Sequence, residues 1–186
     1  MADEPLKIGL IGGVETREIW IVDYDSDWPQ KFETHAKRIA DAVGGSALRI
    51  EHVGSTSVPD LAAKPIIDIL VVVPDSADES AYLPQLEAAG YVLRVWEPDW
   101  NEHRMLRTPE RDVHVHVYST SCPEIARNLS FRDRLRRNDE DRRPYERTKR
   151  ELAAKEWSDM NAYADAKTEV IESILAPSRA AGEIPQ

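Results

Sequence analysis

Cysteine is almost missing: the 186-residue chain has one, Cys122. That excludes a disulfide framework and a zinc site built from several thiolates, and it fits a reducing cytoplasm. No apolar run approaches the ~20 residues a membrane-crossing helix needs, so no membrane partner is expected. The start, "MADEPLKIGLIGG", has neither the basic opening nor the apolar stretch of a secretion signal. Positive charge is also in deficit. The 24 Lys and Arg face 34 Asp and Glu, a net charge of −10, which argues against a global electrostatic grip on nucleic acid. A nucleoside triphosphate loop is missing too. "GLIGG" (Gly9 to Gly13) is glycine-rich, but Val14, Glu15 and Thr16 stand where Gly-Lys-Ser/Thr would be needed. A flexible glycine segment is the expectation there.

What is present is a chain long enough to bury a core without covalent staples. Residues 1–18 are expected to be a flexible lead-in, 19–176 one folded domain and 177–186 a disordered tail. "EIWIVDY" has strand character. "DSDWPQKFETHAKRIADAVGG" has helical character, with Asp27 at the cap, Pro29 in the first turn and Gly44 and Gly45 at the end. "ALRIEHV" and "PIIDILVVV" are strands, the second apolar enough to be covered on both faces. "DESAYLPQLEAAG" is a short helix closed by Gly90. "YVLRV", "HRMLRT" and "DVHVHVY" are strands, the last two an antiparallel pair turning at Pro109 to Arg111. From a capping box at Ser121 and Glu124 onward, two long helices are expected, over 122–138 and 141–176.

The chemistry concentrates in "GSTSVPDLAAKPIIDI". Gly54 lets a ligand approach the backbone, and Ser55, Thr56 and Ser57 add hydroxyls beside backbone N–H groups, a turn suited to phosphate. Lys64 adds positive charge. Asp68 lies on the next strand, 68 − 55 = 13 residues after Ser55, where a carboxylate beside a phosphate can share Mg²⁺ with it.

A Gly-Ser turn followed about a dozen residues later by an apolar strand with Asp resembles the nucleotidyltransferase superfamily. More closely, "EHVGSTSVP", "LAAKPIIDI", "HVHVY", "FRDRLRRND" and "YERTKRELA" together resemble the GrpB family over about Ile19 to Leu175. The resemblance implies an α/β, nucleotidyltransferase-like mixed sheet with flanking helices and a C-terminal helical extension. It also marks Arg132, Asp133, Tyr145 and Lys149. Domains similar to this one also occur attached to dephospho-CoA kinases. The chain departs from these patterns twice. Leu70 stands where active nucleotidyltransferases carry a second acid two residues after Asp68, and Asp60 stands where the GrpB pattern has Gly after Pro59.

His114 and His116 alternate with Val113, Val115 and Val117, so both imidazoles leave one face of their strand. With Asp68 they could bind a metal, hold a phosphate or act as acid and base; the alternative is a pair of structural histidines. His52 is an open case. His35 and His103 are expected on the surface or a helix face. Between Arg127 and Arg150 ten Lys and Arg stand against five Asp and Glu, a local 10 − 5 = +5. Most of these charges belong to a solvated helix face, with Arg132 and Lys149 expected to face the pocket and Arg136 and Arg143 to face solvent. Two functions follow. One is Mg²⁺-dependent nucleotidyl or phosphoryl transfer on a nucleotide or other phosphorylated small molecule, using Asp68, His114, His116 and Lys64. The other is a catalytically silent module that senses such a ligand or assists a partner such as dephospho-CoA kinase.

Overall fold

In the computed structural model of the chain, residues 9–13, 15, 18–157 and 160–185 are described. A six-stranded mixed sheet forms the frame. In chain order its strands are β1 (Gly9–Leu10), β2 (Arg49–Val53), β3 (Ile67–Val73), β4 (Val92–Glu97), β5 (His103–Arg107) and β6 (Val113–Ser119). Their order across the sheet is β1-β4-β5-β6-β3-β2. Only β3 and β6 run parallel, and they lie side by side, with β3 one strand in from the β2 edge.

β3 is apolar on both sides because both sides are covered. Ile67, Ile69, Val71 and Val73 enter the main core with Val113, Val115 and Val117, beneath α1 (Trp28–Val43) and α2 (Leu83–Ala88). Leu70 and Val72 enter a second core with Val53, Tyr118 and Cys122, closed by Ile125 and Leu129 of α3 (Pro123–Arg137). The helices α4 (Asp139–Ala153), α5 (Met160–Asp165) and α6 (Thr168–Ala180) follow. α3, α4 and α6 form a third cluster, in which Leu135, Tyr145 and Ile174 pack on Val58 and Leu61 of the loop before β3. The C-terminal helices are thus built onto the turn that precedes the apolar strand. Among the described residues no helix is long and apolar enough to cross a membrane.

Several expectations need correction. "EIWIVDY" makes one bridge, Val22 to Ala63, and not a strand: its alternate residues find no sheet edge to join. The glycine lead-in is paired, Gly9 and Leu10 lying opposite Trp96 and Val95, while residues 1–8, 14, 16 and 17 lie outside the described set. Neither expected N-cap side chain bonds its helix. Asp25 Oδ1 instead accepts from the Asp27 N–H at 2.9 Å, and α3 begins after Cys122 rather than Ser121. The expected long second helix is three helices, the first of which ends at Ala153. The tail is ordered into α6 as far as Ala180, with Ser178 and Ile184 buried. That tail carries apolar area of its own, which composition alone does not reveal.

Candidate functional site

The site begins where β2 ends. Gly54 has φ 69° and ψ −175°, a region open in practice only to glycine. A Cβ there would sit 2.4 Å from Asp68 Oδ2. Gly54 is therefore needed twice, for its backbone and for the carboxylate that presses against it. Ser55–Ser57 then form a short 3-10 turn. It is held from within: Thr56 Oγ1 donates to Ile66 O at 3.0 Å and Ser57 Oγ to Gly54 O at 2.6 Å. The Tyr145 hydroxyl meets Ser55.

Asp68 is half-buried on the sheet face that carries α3. The parallel register places Asp68 opposite His114 and Leu70 opposite His116. His114 Nδ1 is 3.4 Å and His116 Nε2 is 3.6 Å from Asp68 Oδ1. One donor atom from each residue can be chosen so that all three lie within 4.8 Å of one another. Burial by itself would raise the Asp68 carboxyl, but the two imidazoles facing it outweigh that and hold it well below the ordinary carboxylate range. Leu70 is fully buried in the core beneath α3, so no second carboxylate stands on β3; His116, one strand over, occupies that neighbourhood instead.

Behind His116 lies His103, which is buried rather than on the surface. Its Nε2 is 3.1 Å from His116 Nδ1, and its Nδ1 donates to Glu97 Oε2 at 2.8 Å. The ring stacks on His116 and Tyr118, and burial pushes its pKa down to about 3. The strand register puts it there. Met105 lies opposite His116 and Arg107 opposite His114, so His103, two residues before Met105, shares their face.

A cavity of about 530 Å³ opens over this face, well within the range of small-ligand sites. It is lined by the Gly54–Thr56 turn, Lys64, Asp68, His114 and His116, and on the helical side by Lys149, Tyr163 and Lys167. Lys149 is buried, donates to Ala62 O and lies over the Tyr145 ring. Burial, then Lys167, lowers its pKa to about 7. Lys64 and Lys167 each place Nζ over the Tyr163 ring, at 4.8 and 4.7 Å, and the buried Tyr163 hydroxyl has no hydrogen-bond partner among the described residues. Across the cavity, Arg107 forks onto Glu15 at 2.9 and 2.7 Å. A register shift in β4 sits at Arg94, whose guanidinium ties down the carbonyls of Ile11 and Gly13 and so anchors the lead-in at the cavity's rim.

Eight of the eleven expected site residues therefore line one cavity: Gly54, Ser55, Thr56, Lys64, Asp68, His114, His116 and Lys149. Three do not. His52 lies opposite Ile69 and so faces α1, where it stacks on Phe32 and its Nε2 is 3.1 Å from Thr56 Oγ1; it supports the turn from behind. Ser57 is turned inward. Arg132 pairs with Glu51 at 2.7 Å and Asp133 at 2.8 Å and donates to His52 O, binding α3 to β2. Arg136 is exposed as expected, yet its guanidinium donates twice to Ser57 O. Asp60, whose carboxylate would repel a phosphate, is exposed and does not line the cavity; its φ is 61°, a left-handed conformation that glycine adopts freely. Lys167 and Tyr163 were missed because nothing in a helical repeat tells which turn meets a cavity.

A mixed sheet with helices packed on both faces, whose strand β3 presents a carboxylate against a glycine-serine turn, defines an α/β protein with a candidate site on its sheet. The chain belongs to the GrpB family: the model described as "GrpB protein" matches residues 18–177. It is 49% identical over 180 residues to a UPF0157 protein of Halalkalibacterium halodurans, covering 96% of this chain and 92% of the relative. The crystal structure of the conserved protein GrpB from Enterococcus faecalis superposes with a TM-score of 0.74 at 33% identity, covering 86% of this chain and 99% of that one. A dephospho-CoA kinase of Mycolicibacterium paratuberculosis is 30% identical over 173 residues, covering 79% of this chain and 42% of the kinase.

Proposed function

We propose that the cavity binds a nucleotide or another phosphorylated small molecule in the cytoplasm, and that the protein transfers its nucleotidyl or phosphoryl group. The observation that carries this reading is the juxtaposition of an Asp–His–His cluster with Lys149 and Lys167 across one cavity. Transfer of this kind depends on positioning and charge neutralisation more than on covalent catalysis. The backbone and hydroxyls of Gly54–Thr56 would orient phosphate oxygens. Lys149, Lys167 and Lys64 would neutralise them, and the Tyr163 hydroxyl would donate to one. A divalent cation at Asp68, His114 and His116 would supply charge to the reacting phosphoryl group. Magnesium, the ion the fold leads one to expect, does not match this donor set well: it takes oxygen ligands in octahedral geometry, and here two of three donors are imidazole.

Leu70 supports the second reading, a silent sensing or partner-assisting module, because a core leucine cannot be a metal ligand. The dephospho-CoA kinase relative makes coenzyme A precursors sensible ligands to test for it. The decisive experiment measures binding of nucleotides and coenzyme A precursors by calorimetry, with Lys149→Met as the control, followed by product analysis with divalent cations. Binding that needs Lys149 and cation-dependent product support transfer. Binding without product supports sensing. No phosphorylated ligand bound by the native protein rejects both.

A further inference from the structure

The best-defined feature that the transfer reading leaves unused is the Glu97–His103 pair behind His116 and Asp68. We infer that Glu97 and His103 are positioning residues that set the His116 tautomer, making Asp68, His114 and His116 a two-histidine, one-carboxylate centre selective for a transition-series divalent cation over magnesium. This rests on the proposed site but says which ion that site takes.

The direction of the hydrogen bonds carries the inference. An ionised carboxylate only accepts, so Glu97 Oε2, 2.8 Å from His103 Nδ1, requires the proton on that nitrogen. In the neutral ring Nε2 of His103 is then an acceptor. It lies 3.1 Å from His116 Nδ1, which must supply the proton. In the neutral ring that a metal ligand requires, the lone pair of His116 is then on Nε2, the atom 3.6 Å from Asp68 Oδ1. A carboxylate–histidine chain that orients and polarises a ligating imidazole is a common outer shell of metal sites. Here it has an extra histidine in series.

Two of the three donor spacings agree. Two atoms about 2.1 Å from one ion at a tetrahedral angle are about 3.4 Å apart. The two nitrogen-to-Asp68 distances are 3.4 and 3.6 Å. Imidazole suits zinc, cobalt, iron and nickel, whereas magnesium seeks oxygen. Where a second carboxylate would make an oxygen-rich site, Leu70 is buried in the core. A tether also holds the Asp68 end: Oδ2 packs against Gly54, leaving Oδ1 toward the rings.

The test uses chelator-treated full-length protein and metals alone. Calorimetry and the visible absorption of Co²⁺ are followed, with Mg²⁺ in competition. The expected result is one Co²⁺ or Zn²⁺ site per chain, at least about 100-fold tighter than Mg²⁺, with ligand-field bands that His114→Ala and His116→Ala each abolish. His103→Phe keeps the stacked ring but cannot accept the proton; it should weaken Co²⁺ binding by about 10- to 100-fold and shift the bands. Glu97→Gln, which can still hydrogen-bond, should fall between the two. Thermal unfolding of each metal-free variant separates this from misfolding. Mg²⁺ binding as tightly as Co²⁺ at these residues would overturn the inference and leave the transfer reading standing. So would Co²⁺ binding that is unchanged in His103→Phe, which would remove the positioning role. If no divalent cation binds the folded native protein, the inference fails, and phosphate-ligand binding decides the transfer reading separately.

Discussion

At the residue scale, two positions show how the site constrains its own sequence. Gly54 combines a glycine-only backbone with 2.4 Å from its would-be Cβ to Asp68 Oδ2. Gly54→Ala should cost about 1–3 kcal/mol in backbone strain, plus displacement of the Asp68 side chain. Urea denaturation should show that loss, and metal calorimetry should show a larger one than the remaining folded fraction explains. Lys149 is a buried cation whose pKa falls from 10.5 to about 7, chiefly through burial. Below about pH 7 it is protonated in both folded and unfolded chains, so the penalty of burying the charge is fully present. Between 7 and 10.5 the folded chain has released a proton that the unfolded chain still holds, so this residue's contribution to stability improves as pH rises. Lys149→Met should therefore stabilise the unliganded protein on the order of a few kcal/mol near neutral pH and below, with the gain shrinking toward about pH 10. Denaturation of both proteins across that range checks the sign. A gain that grows with pH would contradict it.

At the element scale, α3 and α6 behave as clamps rather than as a charged surface. Arg136 on α3 puts Nε and Nη2 on Ser57 O at 3.0 and 2.7 Å, whereas the Arg143 side chain on α4 is 81% exposed. Arg136→Ala should cost about 1.5–3 kcal/mol, the worth of hydrogen bonds from a charged donor. Arg143→Ala should stay within about 0.5 kcal/mol. Chemical denaturation of the pair measures the difference, and equal effects would mean that α3 does not hold the turn. The end of α6 is also fastened. Ser178 is buried with its Oγ 2.9 Å from Ser130 Oγ, and Ile184 is buried beyond the helix. Deleting residues 178–186 should lower stability by about 2–4 kcal/mol, since one buried isoleucine side chain alone contributes about 1.5–3. A truncated chain as stable as the native one would show that the tail is dispensable.

At the scale of the whole molecule, the cavity is walled by both ends of the chain. Leu10 and Glu15 line it from the lead-in, the sheet supplies its floor, and Lys149, Tyr163 and Lys167 come from the C-terminal helices. A ligand bound there contacts segments about 150 residues apart in sequence, so its binding energy should couple to unfolding of the whole chain. A phosphorylated small molecule at about 100 times its Kd should stabilise the protein by about 2.7 kcal/mol, visible as a higher Tm. An RNA or DNA oligonucleotide should not do so at physiological salt, because the molecule carries −10 overall. Retention of nucleic acid under those conditions would refute the small-ligand assignment.

The sequence by itself determined β2 to β6, the family and the inner face of the site. Period-two alternation put His114 and His116 together, a continuous apolar run marked β3 as covered twice, and Gly-Ser followed by Asp on the next strand marked the turn. These are local signals, because side-chain direction along a strand follows from the backbone repeat. What the alternation could not say was which sheet face each strand presents to its neighbour. His52 went to the α1 side, while His103 joined the cavity side, because register between strands is set by pairing and packing rather than by composition. The helices were less legible still. In a segment carrying ten basic residues, solvated, clamping and cavity-facing charges look alike. Only the docking of α3 to α6 on the Val58–Leu61 loop gave Arg136 to the turn, Arg132 to β2 and Lys149 to the cavity.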